Sequence, residues 1–121
     1  MTRRVLIVDD SATIRQQVRV ALTQAGFEVV EAVDGEEGLA KIRSDSALSA
    51  VICDINMPKK NGLELVEEIK GSGGPPLPIV MLTTEGQPEL VQRAKAAGAK
   101  GWIVKPFKPN LLVAALQKLT G

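Results

Sequence analysis

Aspartates at positions 9, 10 and 54 and a lysine at 105 stand at or just past the ends of short apolar runs. The runs are Val5-Leu6-Ile7-Val8, Ala50-Val51-Ile52-Cys53 and Trp102-Ile103-Val104, and another, Pro78-Ile79-Val80-Met81-Leu82, ends at Thr83. Each reads as a short buried β-strand. In an open parallel α/β sheet the carboxyl ends of the strands share one edge, and ligands bind along it. Three carboxylates, a hydroxyl and an ammonium are therefore expected in one shallow pocket. Two like charges about 4 Å apart repel by about 4 kcal/mol at an effective dielectric near 20. Asp9, Asp10 and Asp54 thus need a cation among them. Oxygen-only ligands, in a chain that has no histidine, point to Mg²⁺, or to Mn²⁺ or Ca²⁺ where those are available.

A carboxylate can also take a phosphoryl group as an acyl phosphate. Phosphoryl transfer then needs chiefly positioning and neutralisation of charge on the equatorial oxygens, which Mg²⁺, Lys105 and the Thr83 hydroxyl would supply. Asp54 is the expected nucleophile, because it follows the most apolar strand and opens a loop whose backbone N–H groups can face a phosphate. Asp9 and Asp10 are the expected metal holders. The Lys105-Pro106 bond, at a strand end, is a site for a cis peptide that would fix the aim of Lys105.

Segments of helical period alternate with the apolar runs, the pattern of βαβ units and a parallel sheet. A first helix begins at Ser11 as N-cap, carries Ile14, Val18, Ala21, Leu22 and Ala25 on one face, and stops at Gly26. Residues 28–33 predict a second strand, and Asp34-Gly35 turns into a helix with Leu39 and Ile42 inward. A loop over 55–61 leads to a helix with Leu63, Val66 and Ile69 on one side. The Gly/Pro-rich stretch 71–78 (GSGGPPLP) reads as a surface loop, since about 40 residues beyond it cannot easily form another domain. A helix from Pro88 to about Ala97 closes at Gly98, and a last one carries Leu112, Ala115, Leu116 and Leu119. The expected fold is a five-stranded doubly wound parallel α/β sheet of flavodoxin-like type, one domain over residues 1–121 with no effector domain.

Composition narrows the function classes. With 45% hydrophobic and 24% charged residues among 121, the chain has the balance of an ordinary soluble domain. No apolar stretch approaches the roughly 20 residues of a membrane span, and Met1-Thr2-Arg3-Arg4 runs straight into a strand without a signal peptide. One cysteine allows no disulfide framework, which fits a cytoplasmic location. A net charge of +1 with no basic run gives nucleic-acid binding no electrostatic support. Cys53 reads as a small buried hydrophobe, and Arg93, Lys95 and Lys100 as a solvated face.

Four segments in order, VLIVDD, VICDINMPKKNG, IVMLTT and WIVKPF, resemble the receiver domains of two-component response regulators, and the likeness covers essentially the whole chain. It implies Asp54 as phosphoacceptor, Asp10 bound directly to Mg²⁺, Asp9 bound largely through water, and Asn56 giving its backbone carbonyl to the metal. Thr83 would be the switch hydroxyl, Lys105 the phosphate-contacting ammonium and Trp102 the switch aromatic, where the family usually has Tyr or Phe. Asn56 and Glu85, two places after the acceptor and the switch hydroxyl, would tune access of the hydrolytic water, a pair similar to the chemotaxis CheY type. The implied phosphoryl donor is a sensor histidine kinase or a histidine phosphotransfer protein. The implied output is a target protein on the surface of helix four, strand five and helix five. Helix one at Ile14 and Arg15, with Pro106-Phe107, is the expected kinase-docking face.

Other classes fit less well. A haloacid-dehalogenase-type phosphatase needs an acid two residues after its nucleophile, where this chain has Ser11 after Asp9 and Asn56 after Asp54. A flavodoxin-like flavin carrier needs a Ser/Thr/Gly-rich loop after the first strand, where Asp9-Asp10-Ser11-Ala12 stands instead. The expectation is therefore a stand-alone receiver, a protein-binding switch rather than an enzyme with an external substrate, in chemotaxis or motility. A phosphorelay intermediate and an unphosphorylated scaffold receiver are the alternatives.

Overall fold

Successive residues of a strand face opposite ways, and the first strand divides its apolar residues between two cores accordingly. Val5 and Ile7 join Val18, Leu22, Phe27, Ile52, Val80, Leu82, Leu112 and Leu116 on one side of the sheet. Leu6 and Val8 join Val51, Cys53, Leu63, Leu65, Val66, Met81 and Ala94 on the other. Strands buried on both faces read as continuous apolar runs, as these do.

A computed structural model describes residues 3–55, 62–71, 77–83 and 88–120, with only the backbone at Thr83, Pro88 and Leu90. Along these residues run β1 (Arg4–Val8), α1 (Ala12–Gln24), β2 (Glu28–Ala32), α2 (Gly35–Ser44) and β3 (Leu48–Cys53). They continue with α3 (Gly62–Gly71), β4 (Ile79–Thr83), α4 (Pro88–Ala96), β5 (Gly101–Val104) and α5 (Pro109–Thr120). The strands form one parallel sheet in the order β2-β1-β3-β4-β5. Its two cores place α1 and α5 on one face and α2, α3 and α4 on the other. The chain direction across the sheet reverses between β1 and β3, and their carboxyl ends form the crevice where such sheets bind ligands.

Local signals account for the boundaries. Ser11 caps α1, its hydroxyl oxygen accepting from the Ile14 N–H at 3.3 Å. Asp34 caps α2 by accepting from the Glu37 N–H at 2.9 Å, while Glu37 reaches back to accept from the Val33 N–H at 2.8 Å. That reciprocal pair follows directly on β2, which ends at Ala32, one residue earlier than the sequence suggests. Gly26 and Gly98 follow α1 and α4 with φ of +93° and +106°, a conformation that costs most other residues free energy.

Two further readings are amended. The 71–78 stretch is not wholly surface loop: Gly71 is the last residue of α3, and Leu77 is half-buried against the core. Residues 72–76 lie outside the described part. Leu65 joins Leu63 and Val66 in the interior, since the layer between α2 and α3 reaches round a wider arc of that helix. Among the described residues, no helix is long and apolar enough to cross a membrane.

Candidate functional site

Asp9 and Asp54 follow the last residues of adjacent parallel strands, so the ladder sets their spacing. The Asp54 N–H donates to the Val8 carbonyl at 2.9 Å and the Asp9 N–H to the Ala32 carbonyl at 3.1 Å. Both side chains are almost fully enclosed, with relative exposures of 0% and 7%. Asp10, the next residue, points outward and is exposed. One carboxylate oxygen from each of Asp9, Asp10 and Asp54 lies within 4.8 Å of the others, a group that could hold a metal ion. The donor set fits a hard divalent cation, since it is all carboxylate oxygen.

Lys105 crosses to them from the end of β5. Its Nζ donates to Asp9 Oδ2 at 2.9 Å and to Asp54 Oδ2 at 3.1 Å. The Lys105–Pro106 peptide is cis. Burial alone would lower the Lys105 ammonium, but the two carboxylates outweigh it and raise the pKa above the ordinary lysine value. The remaining oxygen of Asp9, Oδ1, accepts from the Ser11 N–H at 2.9 Å. Its main-chain carbonyl accepts from Arg15 Nη1 at 2.6 Å. Cys53 is buried beside this group, its Sγ donating to the Asp54 carbonyl at 3.4 Å. Burial, then the charges of Asp54 and Asp9, push its thiol pKa up, so it behaves as an inert hydrophobe.

Of the positions expected from sequence, Asp9, Asp10, Asp54 and Lys105 are thus brought together. Thr83 closes β4 in register with Val104 of β5, which puts its backbone on the same edge; its hydroxyl lies outside the described part. Asn56, Thr84 and Glu85 lie outside the described residues. Trp102 pairs in register with Met81 and is half-buried against the α3 and α4 core. Its indole Nε1 is buried with no hydrogen-bond partner among the described residues. Arg93 pairs with Glu67 at 3.2 Å on the exposed side of α4, in keeping with a solvated face.

Two features escape the sequence. Gly62 approaches Asp54 so closely that a Cβ there would lie 2.3 Å from the Asp54 carbonyl oxygen, and its N–H donates to the Ile55 carbonyl at 3.1 Å. The Asn61-Gly62 dipeptide is a turn signal, but nothing in it marks the contact. The bond from Arg15 to the Asp9 carbonyl likewise has no signature beyond an arginine in the first helix. Beside the site, Ile14, Gln17, Val20, Pro106, Phe107 and Pro109 border a groove of about 850 Å³ between α1 and the start of α5.

The comparisons with known proteins converge. The family described as response regulator receiver domain matches residues 5–117. The chain belongs to that family. The chemotaxis protein CheY1 of Helicobacter pylori (strain 26695) is 39% identical over 120 residues, 98% of this chain and 97% of that one. CheY of Thermotoga maritima is 40% identical over 121 residues, 99% of both chains. The solved structure of Vibrio cholerae CheY4 superposes with a TM-score of 0.90 at 46% identity, covering 98% of this receiver and 99% of that chain. Receivers of this type are switch proteins that meet a kinase and downstream proteins, and phosphorylation chemistry is implied by the family.

Proposed function

We propose that residues 1–121 act as a stand-alone cytoplasmic receiver that takes a phosphoryl group on Asp54 and thereby changes a protein-binding surface in chemotaxis. The observation that carries this reading is the single ammonium of Lys105 held between the buried carboxylates of Asp9 and Asp54, with Asp10 exposed beside them. The names of the relatives, and the 97–99% of their length that the chain spans, support the pathway.

In the reaction, an Asp54 carboxylate oxygen attacks the phosphorus of a phosphohistidine on a sensor kinase or phosphotransfer protein. The P–N bond breaks, and its electron pair leaves with the imidazole. Mg²⁺ held by Asp10, Asp54 and the Asn56 backbone carbonyl, with Asp9 acting largely through water, would neutralise the phosphoryl oxygens. Lys105, already aimed at Asp54, would contact the phosphoryl group. Thr83 follows the phosphate as the switch hydroxyl and Trp102 as the switch aromatic, altering the α4-β5-α5 surface that meets the target. The buried Trp102 Nε1, without a hydrogen-bond partner among the described residues, supports the aromatic role, because an unpartnered buried N–H costs free energy that a turned indole could recover. Asn56 and Glu85 tune the water that later hydrolyses the acyl phosphate. Both steps proceed on the receiver itself, with no external metabolite.

The groove beside Ile14 and Phe107 supports the α1 and Pro106-Phe107 face as the kinase-docking surface. Phosphotransfer from a purified phosphohistidine protein tests both parts. The wild type should gain the label, Asp54→Asn should gain none, and Ile14→Asp should load about tenfold more slowly, the cost of one hot-spot contact of about 1.4 kcal/mol. Equal labelling of Asp54→Asn would sink the acceptor assignment, and an unchanged rate for Ile14→Asp would sink the docking face.

A further inference from the structure

Asp9 sits where β1 stops pairing, yet each of its polar atoms is engaged. The N–H goes to Ala32, Oδ1 takes the Ser11 N–H, Oδ2 takes Lys105, and the main-chain carbonyl takes Arg15 Nη1 at 2.6 Å. By the β1–β2 register the ladder donor to that carbonyl would be the Asp34 N–H, but among the described residues no backbone N–H reaches it. Arg15 fills the place from the first turn of α1, with its side chain 15% exposed.

Arg15 is itself held. Its Nε donates to Glu31 Oε1 at 3.0 Å. The other Glu31 oxygen accepts from Arg19 Nε at 2.7 Å, and the Glu31 main-chain carbonyl accepts from Lys41 of α2. Arg15 and Arg19 stand four residues apart, on one helix face, and grip one carboxylate on β2. That fixes the rotation of α1 beneath the acidic corner. Burial alone would raise the Glu31 carboxyl, but the bonds and charges of Arg19 and Arg15 hold it below its ordinary value, so the carboxylate is ionised at neutral pH.

We propose that Arg15, oriented by Glu31, is a positioning residue that holds the Asp9 carbonyl and so sets where Asp9 and Asp10 present their carboxylates to a divalent cation. This role rests on reading Asp9, Asp10 and Asp54 as a cation site. Positioning and plain charge predict opposite signs. A guanidinium near the site repels a cation, so charge alone would make its removal strengthen binding. Loss of positioning weakens it.

Calorimetric titration of Mg²⁺ into the full chain separates the two, each variant first checked for cooperative unfolding. Arg15→Gln and Glu31→Gln should each raise the Mg²⁺ dissociation constant about tenfold, the lower end for losing an outer partner of a metal ligand. Their effects should not add in the double variant, because both act through one link. Arg15→Lys should also weaken binding, since an ammonium keeps the charge but lacks the planar fork that reaches both partners. Should Arg15→Gln fail to fold, Arg15→Lys and Glu31→Gln decide the matter by the same criterion. Mg²⁺ binding by these variants as tight as in the wild type, or tighter, overturns the role of Arg15. A wild type that binds no Mg²⁺ would instead overturn the cation-site reading beneath it.

Discussion

Freed of divalent cations, Lys105→Ala is expected to unfold with about 3 kcal/mol less stability than the wild type, the scale of removing one partner from a buried ion pair. The Lys105 side chain is 13% exposed and its ammonium is shared by Asp9 and Asp54. Its removal takes away the ammonium that the two enclosed carboxylates share. Mg²⁺ should then stabilise the variant more than the wild type, because it takes over a charge the variant lacks. Phosphoryl uptake should still fall roughly 100-fold, as when one preorganised donor is taken from a transition-state site.

The pH dependence has a definite sign. The Lys105 pKa is raised on folding, so the contribution of the pair is fully present below the ordinary lysine range and is lost as pH rises through the raised value. The stability gap between wild type and variant should therefore hold from neutral pH upward and narrow on the alkaline side of about 10.4. Urea unfolding in a chelator across that range measures it. Equal stabilities at neutral pH would contradict the ion-pair account.

Gly62→Ala is expected to be nearly as damaging, by a different route. The added methyl would stand 2.3 Å from the Asp54 carbonyl oxygen and 2.9 Å from Met81 Cε. The methionine tip can move, but the carbonyl belongs to the backbone that carries the acceptor. Overpacking of this kind costs about 1–3 kcal/mol. A shift of roughly an ångström in a reacting group can cost about 100-fold in rate. Acyl-phosphate formation should therefore fall about 100-fold while the protein still folds. Gly71→Ala, at the far end of α3 where nothing lies within 4 Å, is the control, and a gain of up to about 1 kcal/mol is expected from helix propensity. Like behaviour of the two variants would mean that the approach at Gly62 does not matter.

Most of the fold was legible because each strand is a continuous apolar run ending in a polar residue, and a doubly wound sheet turns those endings into one edge. Asp9, Asp54 and Lys105 were readable for that reason alone, although 96 positions separate the first from the last. What the sequence hid was backbone geometry. β2 ends at Ala32 because the next ladder bond, from the Asp34 N–H to the Asp9 carbonyl, is not made. The Lys105 bridge to Asp9, the approach of Gly62 and the Arg15 bond to the Asp9 carbonyl are contacts between a side chain or Cα and a distant element. Periodicity reports which face a residue takes, not which atom it meets there. Assigning Thr83, Asn56 and Glu85 their roles rested on likeness to the family, and their side chains lie outside the described residues.

The account stands on Asp54 as a Mg²⁺-dependent phosphoacceptor coupled to Trp102, and one measurement addresses both. The chain is incubated with acetyl phosphate in Mg²⁺ or in chelator, and intact mass is read beside Trp102 emission, which reports one site because the chain has one tryptophan and no tyrosine. One phosphoryl group should appear on the wild type in Mg²⁺ alone, with an emission change in step, and neither on Asp54→Asn. A wild type that gains no phosphoryl group, or an Asp54→Asn variant that gains one as readily, would contradict it.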